Sequence, residues 1–139
     1  MKYKICCDGG SRGNPGPAAT GYIIRDQDHN TLSAGGSFLG TATNNIAEYK
    51  AVLEALVKLK ELQGAGGGEV EFFVDSQLVA QQLNGIYKVK NSAIRELVVK
   101  IREEEPNFSK VSYIQIPREK NTEADEIVNQ ILDRGKYGD

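Results

Sequence analysis

Along this chain the spacing of apolar residues alternates between short runs and helical stripes, and each change predicts an element. Tyr3 to Cys7 is a short apolar run ending at Asp8, which predicts a strand. The turn formers from Gly9 to Pro17 follow it. Ala18 to Arg25 and Thr31 to Phe38 predict two strands joined by the polar turn Asp26-Gln27-Asp28-His29-Asn30, a hairpin whose second strand is weakened by Gly35, Gly36 and Gly40. Ile46, Tyr49, Leu53 and Leu56, with Val52, Ala55, Leu59 and Leu62, then form a wide helical stripe. Thr43, Asn44 and Asn45 are candidates to cap it, Asn45 and Glu48 resemble a capping box, and the run Gly64 to Gly68 stops it. Val70 to Val74 is a nearly continuous apolar segment ending at Asp75, the pattern of a buried parallel strand. Helices are predicted over Ser76–Leu83 and over Ser92–Glu104, the first broken at Asn84-Gly85 and the second stopped by Pro106. A strand over Val111–Ile116, a charged loop over Pro117–Asn121 and a helix over Thr122–Leu132 closed by Gly135 complete the chain.

The order is three strands, a helix, a strand, two helices, a strand and a helix. It predicts an α/β fold with a five-stranded mixed sheet, antiparallel in its first three strands and parallel after them, with helices on both faces. No repeat or linker interrupts the pattern, so residues 1–139 are expected to form one domain, and the short tail Gly135 to Asp139 suggests no partner domain. An apolar share of 40% suffices for one core, and no apolar run reaches the roughly 18 residues of a membrane span. Met1 to Asp8 lacks the features of a secretory leader, so a cytoplasmic, membrane-free protein is expected, with no obligate protein partner and most simply a monomer. Cys6 and Cys7 are adjacent, point to opposite faces of a strand and cannot easily bridge, so both are expected to be small buried thiols. The formal charge of −2 argues weakly against a nucleic-acid partner. If cations neutralise four of the 19 acids, however, the 17 Lys and Arg outnumber the remaining acids.

Two of the strands end in aspartates, Asp8 and Asp75. As parallel neighbours they would present both carboxylates at the carboxyl edge of the sheet, where open α/β sheets bind ligands. Glu48 lies on the apolar stripe of the long helix with Val52 and Ala55 and so points inward. Asp125 opens the last helix beside Ile127 and Val128. Taken singly, each acid also fits a turn or a cap. Taken together, clustered carboxylates repel and need protons or cations, and no basic residue sits beside them in these segments. Hard divalent cations with oxygen ligands are the natural partners.

These segments resemble the motifs of the type 1 ribonuclease H family. Asp8-Gly9-Gly10-Ser11-Arg12-Gly13-Asn14-Pro15-Gly16-Pro17 resembles its opening motif and Thr43-Asn44-Asn45-Ile46-Ala47-Glu48 its second. Val74-Asp75-Ser76 resembles the third and Asn121-Thr122-Glu123-Ala124-Asp125 the fourth, in order across essentially the whole chain. The first two motifs are specific, whereas Asp-Ser alone is weak. The resemblance implies a ribonuclease H-like fold and a metal site of Asp8, Glu48, Asp75 and Asp125. It also implies endonucleolytic hydrolysis of the RNA strand of RNA–DNA hybrids, with two Mg²⁺ per site and Mn²⁺ as a substitute. Two metals roughly 4 Å apart clamp the phosphate. Asp8 is then implied to bridge both, Asp125 to help hold the ion that activates water, and Glu48 and Asp75 to hold the ion at the departing 3′ oxygen, leaving 5′-phosphate and 3′-hydroxyl ends.

Telling RNA from DNA requires contact with the 2′-hydroxyl in a wide minor groove. The loop Gly10-Ser11-Arg12-Gly13-Asn14 can bring backbone donors close to a sugar. In the family, residues at the positions of Asn14, Asn44, Asn45 and Gln77 lie along that groove, and Glu48 also meets a 2′-hydroxyl. Arg12, Thr43, Lys88 and Lys90 are candidates for phosphates. The chain departs from many members in lacking a His before the last helix, where it carries Pro117-Arg118-Glu119-Lys120-Asn121. A related subgroup with Arg in this loop suggests Arg118, or Glu119, in that role, with Asn121 as a further auxiliary. The basic helical protrusion of some bacterial members is missing. The one histidine, His29, is expected to be an ordinary turn residue. Two other readings stay open: a non-catalytic nucleic-acid-binding module of the same fold, and a nuclease that also takes double-stranded RNA or RNA–DNA junctions. A small-molecule phosphate enzyme is disfavoured, because the Gly64 to Gly68 run follows a helix rather than a strand.

Overall fold

The computed structural model describes residues 1–63 and 67–136. Strands β1 (Lys2–Ser11), β2 (Gly16–Asp26), β3 (Thr31–Gly35) and β4 (Phe38–Ala42) precede helix α1 (Asn44–Gln63). Then come β5 (Gly67–Val74), α2 (Gln77–Leu83), α3 (Ser92–Glu104), β6 (Phe108–Gln115) and α4 (Thr122–Lys136). The spatial order is β3-β2-β1-β5-β6, with β4 also paired to β2. Strand β2 is antiparallel to β1, β3 and β4, whereas β5 is parallel to both β1 and β6. This is the expected mixed sheet, with one difference. The third strand is two strands, β3 and β4, that pair with β2 in succession.

The split has a local cause. At the break, Ser37 donates its backbone N–H to Thr20 Oγ1 (2.9 Å), and both hydroxyls donate to the Glu54 carboxylate of α1, at 2.6 Å from Thr20 and 2.7 Å from Ser37. The chain therefore turns in toward α1 instead of continuing its ladder.

The two faces of the sheet carry different helices. Tyr3, Ile5 and Cys7 of β1 face the main core, with Val52, Leu56 and Leu59 of α1, Val79 and Leu83 of α2, and Ile94 and Ile101 of α3. Phe72 of β5 and Tyr113 of β6 stack there with ring centroids 5.3 Å apart. On the opposite face Ala19 packs against Val128 and Leu132 of α4.

Two glycines set how closely these helices approach. A methyl group at Gly9 would collide with the Ala47 carbonyl and the Glu48 nitrogen of α1. A methyl group at Gly21, on the other face, would lie 2.6 Å from the Ala124 carbonyl oxygen of α4. Gly9 and Gly10 are therefore not loop residues. They pair with Thr20 and Ala19, and β1 runs past Asp8 to Ser11. Tertiary contact overrides the weak strand propensity of glycine.

Other boundaries shift for similar reasons. Gly135 lies inside α4, its Cα against the Phe38 ring, so it does not end the helix. Thr43 is the residue that caps α1, its Oγ1 accepting from the Ile46 N–H at 3.2 Å, so the Asn45–Glu48 capping box is not what starts the helix. Of the run Gly64 to Gly68, Gly67 and Gly68 open β5, and 64–66 lie outside the described residues, as do 137–139 of the tail. Cys7 is buried as expected and Cys6 only partly so; both are free thiols.

Gly9→Ala should lower unfolding stability by about 1–3 kcal/mol or more, because the obstruction is backbone and cannot rotate away. Gly10→Ala, whose new methyl meets nothing nearer than 3.7 Å, should change it little. Chemical denaturation of the two variants beside the parent chain measures the contrast.

Candidate active site

Asp8 projects from β1 opposite Gly21 of β2. Asp75 follows the end of β5, and the parallel β1–β5 ladder closes at Cys6 with Phe73, just before both acids. Glu48 arrives from α1 at the point where Gly9 admits that helix against the sheet. As a result, carboxylate oxygens of Asp8, Glu48 and Asp75 lie within 4.8 Å of one another. Asp125 comes from the other side of the sheet on α4, drawn in where Gly21 admits it. It lines the same cleft of about 380 Å³ as the trio but is not one of the closely spaced three. Its Oδ2 accepts from Asn129 Nδ2 at 3.3 Å, and its Oδ1 lies 3.8 Å from Arg118 Nη2. Arg118 is thus the basic neighbour that the motifs did not reveal, because it reaches the acids from the loop before α4.

Electrostatics report the crowding. Burial raises the Asp8 carboxyl to about 7, and the nearby charges of Asp75 and Asp125 add to the rise. Burial likewise raises Glu48 to about 8, with Asp8 and Asp75 contributing, while a hydrogen bond from Ser76 opposes the shift. Such a trio cannot be fully ionised at neutral pH without a compensating cation. The available donors are oxygens. The nearest sulfur, Cys7, is buried and burial pushes its thiol well up, so a thiolate ligand is disfavoured. An all-oxygen set fits a hard divalent cation.

The expected substrate residues divide. Asn14, Thr43, Asn44 and Asn45 line a second cleft of about 630 Å³, which Lys88 and Lys90 also line. Asn44 lines both clefts, so they adjoin at that residue. Its Oδ1 accepts from the Ser11 backbone at 2.8 Å and from the Ser11 hydroxyl at 3.1 Å, while its own N–H donates to Asn14 Oδ1 at 3.0 Å. Gly10, Ser11 and Arg12 line the acid cleft, but Arg12 is paired with Asp133 at 2.8 Å. Gln77 is exposed at the start of α2 and lines neither cleft. Glu119 is exposed in the short 3-10 turn over Arg118–Lys120 and also lies outside them. Asn121 is almost wholly buried, its Nδ2 donating to the Cys7 carbonyl at 2.9 Å and to Asp75 Oδ2 at 3.1 Å. His29 takes a left-handed φ of 66° in the β2–β3 turn and joins neither cleft.

Two participants were missed. Asn129 stands four residues after Asp125, a spacing that places them together on a helix and was readable. Gln82 accepts from the Tyr49 hydroxyl and donates to the Lys88 carbonyl at 3.2 Å, steadying the basic wall, and no motif marked it.

The family described as "Reverse transcriptase-like" matches residues 6–131. A bifunctional protein of Mycobacterium tuberculosis is 39% identical over 134 residues, 96% of this chain and 36% of its own length. A protein of Halobacterium salinarum named ribonuclease HI is 40% identical over 126 residues, 91% of this chain and 62% of its own. The chain therefore spans only part of these curated relatives. Among solved structures, LC11-RNase H1 in complex with an RNA/DNA hybrid superposes with a TM-score of 0.91 at 40% identity, covering 96% of this chain and 98% of that one.

In the presence of a chelator the trio should penalise the fold in a pH-dependent way. Between the ordinary carboxylate range near pH 4 and the raised values of about 7 and 8, the folded chain holds protons that the unfolded chain has released. Stability therefore falls as pH rises through that window. Asp8→Asn should melt about 3–6 °C higher than the parent at pH 8 in EDTA. The difference should close toward pH 5, where Asp8 is already protonated in the parent. Equal melting at pH 8 would contradict the assigned repulsion.

Proposed function

The chain belongs to the ribonuclease H family, and we propose that it is a metal-dependent endoribonuclease that hydrolyses the RNA strand of RNA–DNA hybrids. The observation that carries this reading is the convergence of Asp8, Glu48 and Asp75 within 4.8 Å in a cleft that shares Asn44 with the larger groove. A related protein with the same fold holds an RNA/DNA hybrid, which supports the choice of substrate. The strands described share one sheet, which supports reading residues 1–139 as a single domain.

Asp8, Glu48, Asp75 and Asp125 would hold the cations, Mg²⁺ by preference and Mn²⁺ as a substitute, because carboxylates with water complete the coordination these ions favour. Bound there, the cations supply charge stabilisation to the attacking and departing oxygens of an in-line displacement. In the net reaction a water oxygen joins phosphorus, the P–O3′ bond breaks, and the water's proton ends on the 3′ oxygen. The products are a 5′-phosphate and a 3′-hydroxyl.

The residues divide this work by position. Asp8 is close enough to feel the charges of both Asp75 and Asp125, so it can serve both parts of the site. Asn14, Asn44 and Asn45 present neutral donors and acceptors along the groove, suited to sugar hydroxyls and base edges. Lys88 and Lys90, on the opposite wall, suit backbone phosphates. Gln77 can take part only through bound duplex that extends past the groove, and Thr43 and Arg12 must share groups already committed to the α1 cap and to Asp133. Arg118 takes the loop role. Its guanidinium faces Asp125 from an exposed position, where it can meet a phosphate oxygen and steer the carboxylate beside it.

A cleavage assay on labelled hybrid, double-stranded RNA and single-stranded RNA, with and without EDTA, tests the proposal. Metal-dependent cutting of the hybrid is expected, with Asp8→Asn lowering kcat by about 10³-fold. Cutting of double-stranded RNA in preference to hybrid would shift the substrate assignment, and binding without cutting would make the chain a silent module. Two further variants should separate groove from chemistry. Asn45→Ala should raise KM with kcat near that of the parent, and Arg118→Ala should lower kcat about tenfold with KM little changed.

A further inference from the structure

Asp75 is the one member of the close trio that stands on no regular element, lying between the end of β5 and the Ser76 cap of α2. Its orientation must come from elsewhere. Asn121 immediately precedes α4, a position where an asparagine side chain ordinarily accepts from the first turn of its own helix. Here the side chain turns toward the sheet instead. Its Oδ1 is buried without a partner among the described residues, whereas its Nδ2 donates to both Asp75 Oδ2 and the Cys7 carbonyl. The β1–β5 ladder has closed at Cys6 with Phe73, so the amide bridges the two strands where they part.

We propose that Asn121 is a positioning residue for Asp75, holding it at a fixed spacing from Asp8 so that the cation cage is formed before any cation binds. The proposal rests on the metal-site reading above. Three features favour it over a merely structural role. The donor is neutral, so it orients the carboxylate without neutralising it, as a lysine or arginine would. It engages only Oδ2, which leaves Oδ1 of Asp75 outside this hydrogen bond. Its second bond ties Asp75 to the residue next to Asp8, so the two carboxylates are fixed relative to each other. The backbone bonds of Asn121, to the Arg118 carbonyl at 3.0 Å and from the Asp125 N–H at 3.2 Å, survive substitution, so a variant isolates the amide.

Calorimetric titration of the full chain with Mn²⁺, without nucleic acid, reads the effect. Asn121→Ala and Asn121→Leu should each weaken Mn²⁺ binding by about 10- to 100-fold, the usual consequence of losing an outer-shell partner. At saturating metal, KM for hybrid should stay within about twofold of the parent, with kcat partly restored. Unchanged Mn²⁺ affinity with a lowered melting temperature in EDTA would show a structural role and overturn the proposal. If these two variants do not fold, Asn121→Ser carries the same test, since its short hydroxyl cannot span both acceptors. Failure of the underlying reading looks different: the parent chain itself would not bind Mn²⁺.

Discussion

Like charges held together under partial burial are the constraint around which this structure is arranged. Three carboxylates share a space in which their oxygens lie within 4.8 Å, and burial raises Asp8 to about 7 and Glu48 to about 8. Such a cluster opposes folding in the absence of a cation, so the surrounding structure has to hold it there. It does so with backbone. Gly9 and Gly21 let α1 and α4 approach opposite faces of the same strand pair so closely that no side chain fits between. The large apolar core beneath, with Tyr49, Phe72, Leu56 and Ile101 fully buried, supplies the opposing stability. The glycines are thus as much a part of the site as the acids.

The same reasoning explains what the sequence disclosed and what it withheld. The order of elements, the mixed sheet and the placing of four acids around one cleft were legible because each rests on a local signal: an apolar run ending in Asp, a helical stripe carrying Glu48, a helix opening on Asp125. Long-range events were not legible. Gly9 and Gly135 read as a turn and a stop, but both are glycines because another element lies against them. The third strand broke because Ser37 and Thr20 share the Glu54 carboxylate, a contact between distant segments. Arg118 and Asn121 lay in a charged loop that gave no sign of which side chain would turn inward. One is 79% exposed and the other buried, a difference set wholly by packing.

The groove shows how a site of this kind is joined to a binding surface. Asn44 belongs to both clefts, and its amide is committed to Ser11 while its backbone is held by Asn14. The end of β1, the loop after it and the start of α1 are therefore tied to one another, with Glu48 a turn further along the helix. On the far wall, Gln82 fixes the Lys88 carbonyl and Arg95 holds the carbonyls of Val89 and Lys90, which keeps the basic segment in place although it has no regular structure.

Charge is sorted by depth. The groups that donate to the inner carboxylates are neutral: Asn121 to Asp75, Asn129 to Asp125, Ser76 to Glu48. The two arginines on the cleft wall are kept from the centre, Arg12 by its pairing with Asp133 and Arg118 by its exposed position 3.8 Å from Asp125. A buried cationic side chain would have relieved the repulsion permanently and occupied the place of a metal ion. An interior of acids with no buried cationic side chain among the described residues suits a divalent cation instead. Under the proposed function the same repulsion would bear on the substrate, because a phosphate brought to this cluster without cations would add negative charge to groups that already resist ionisation, whereas the exposed basic groups around the clefts would attract it.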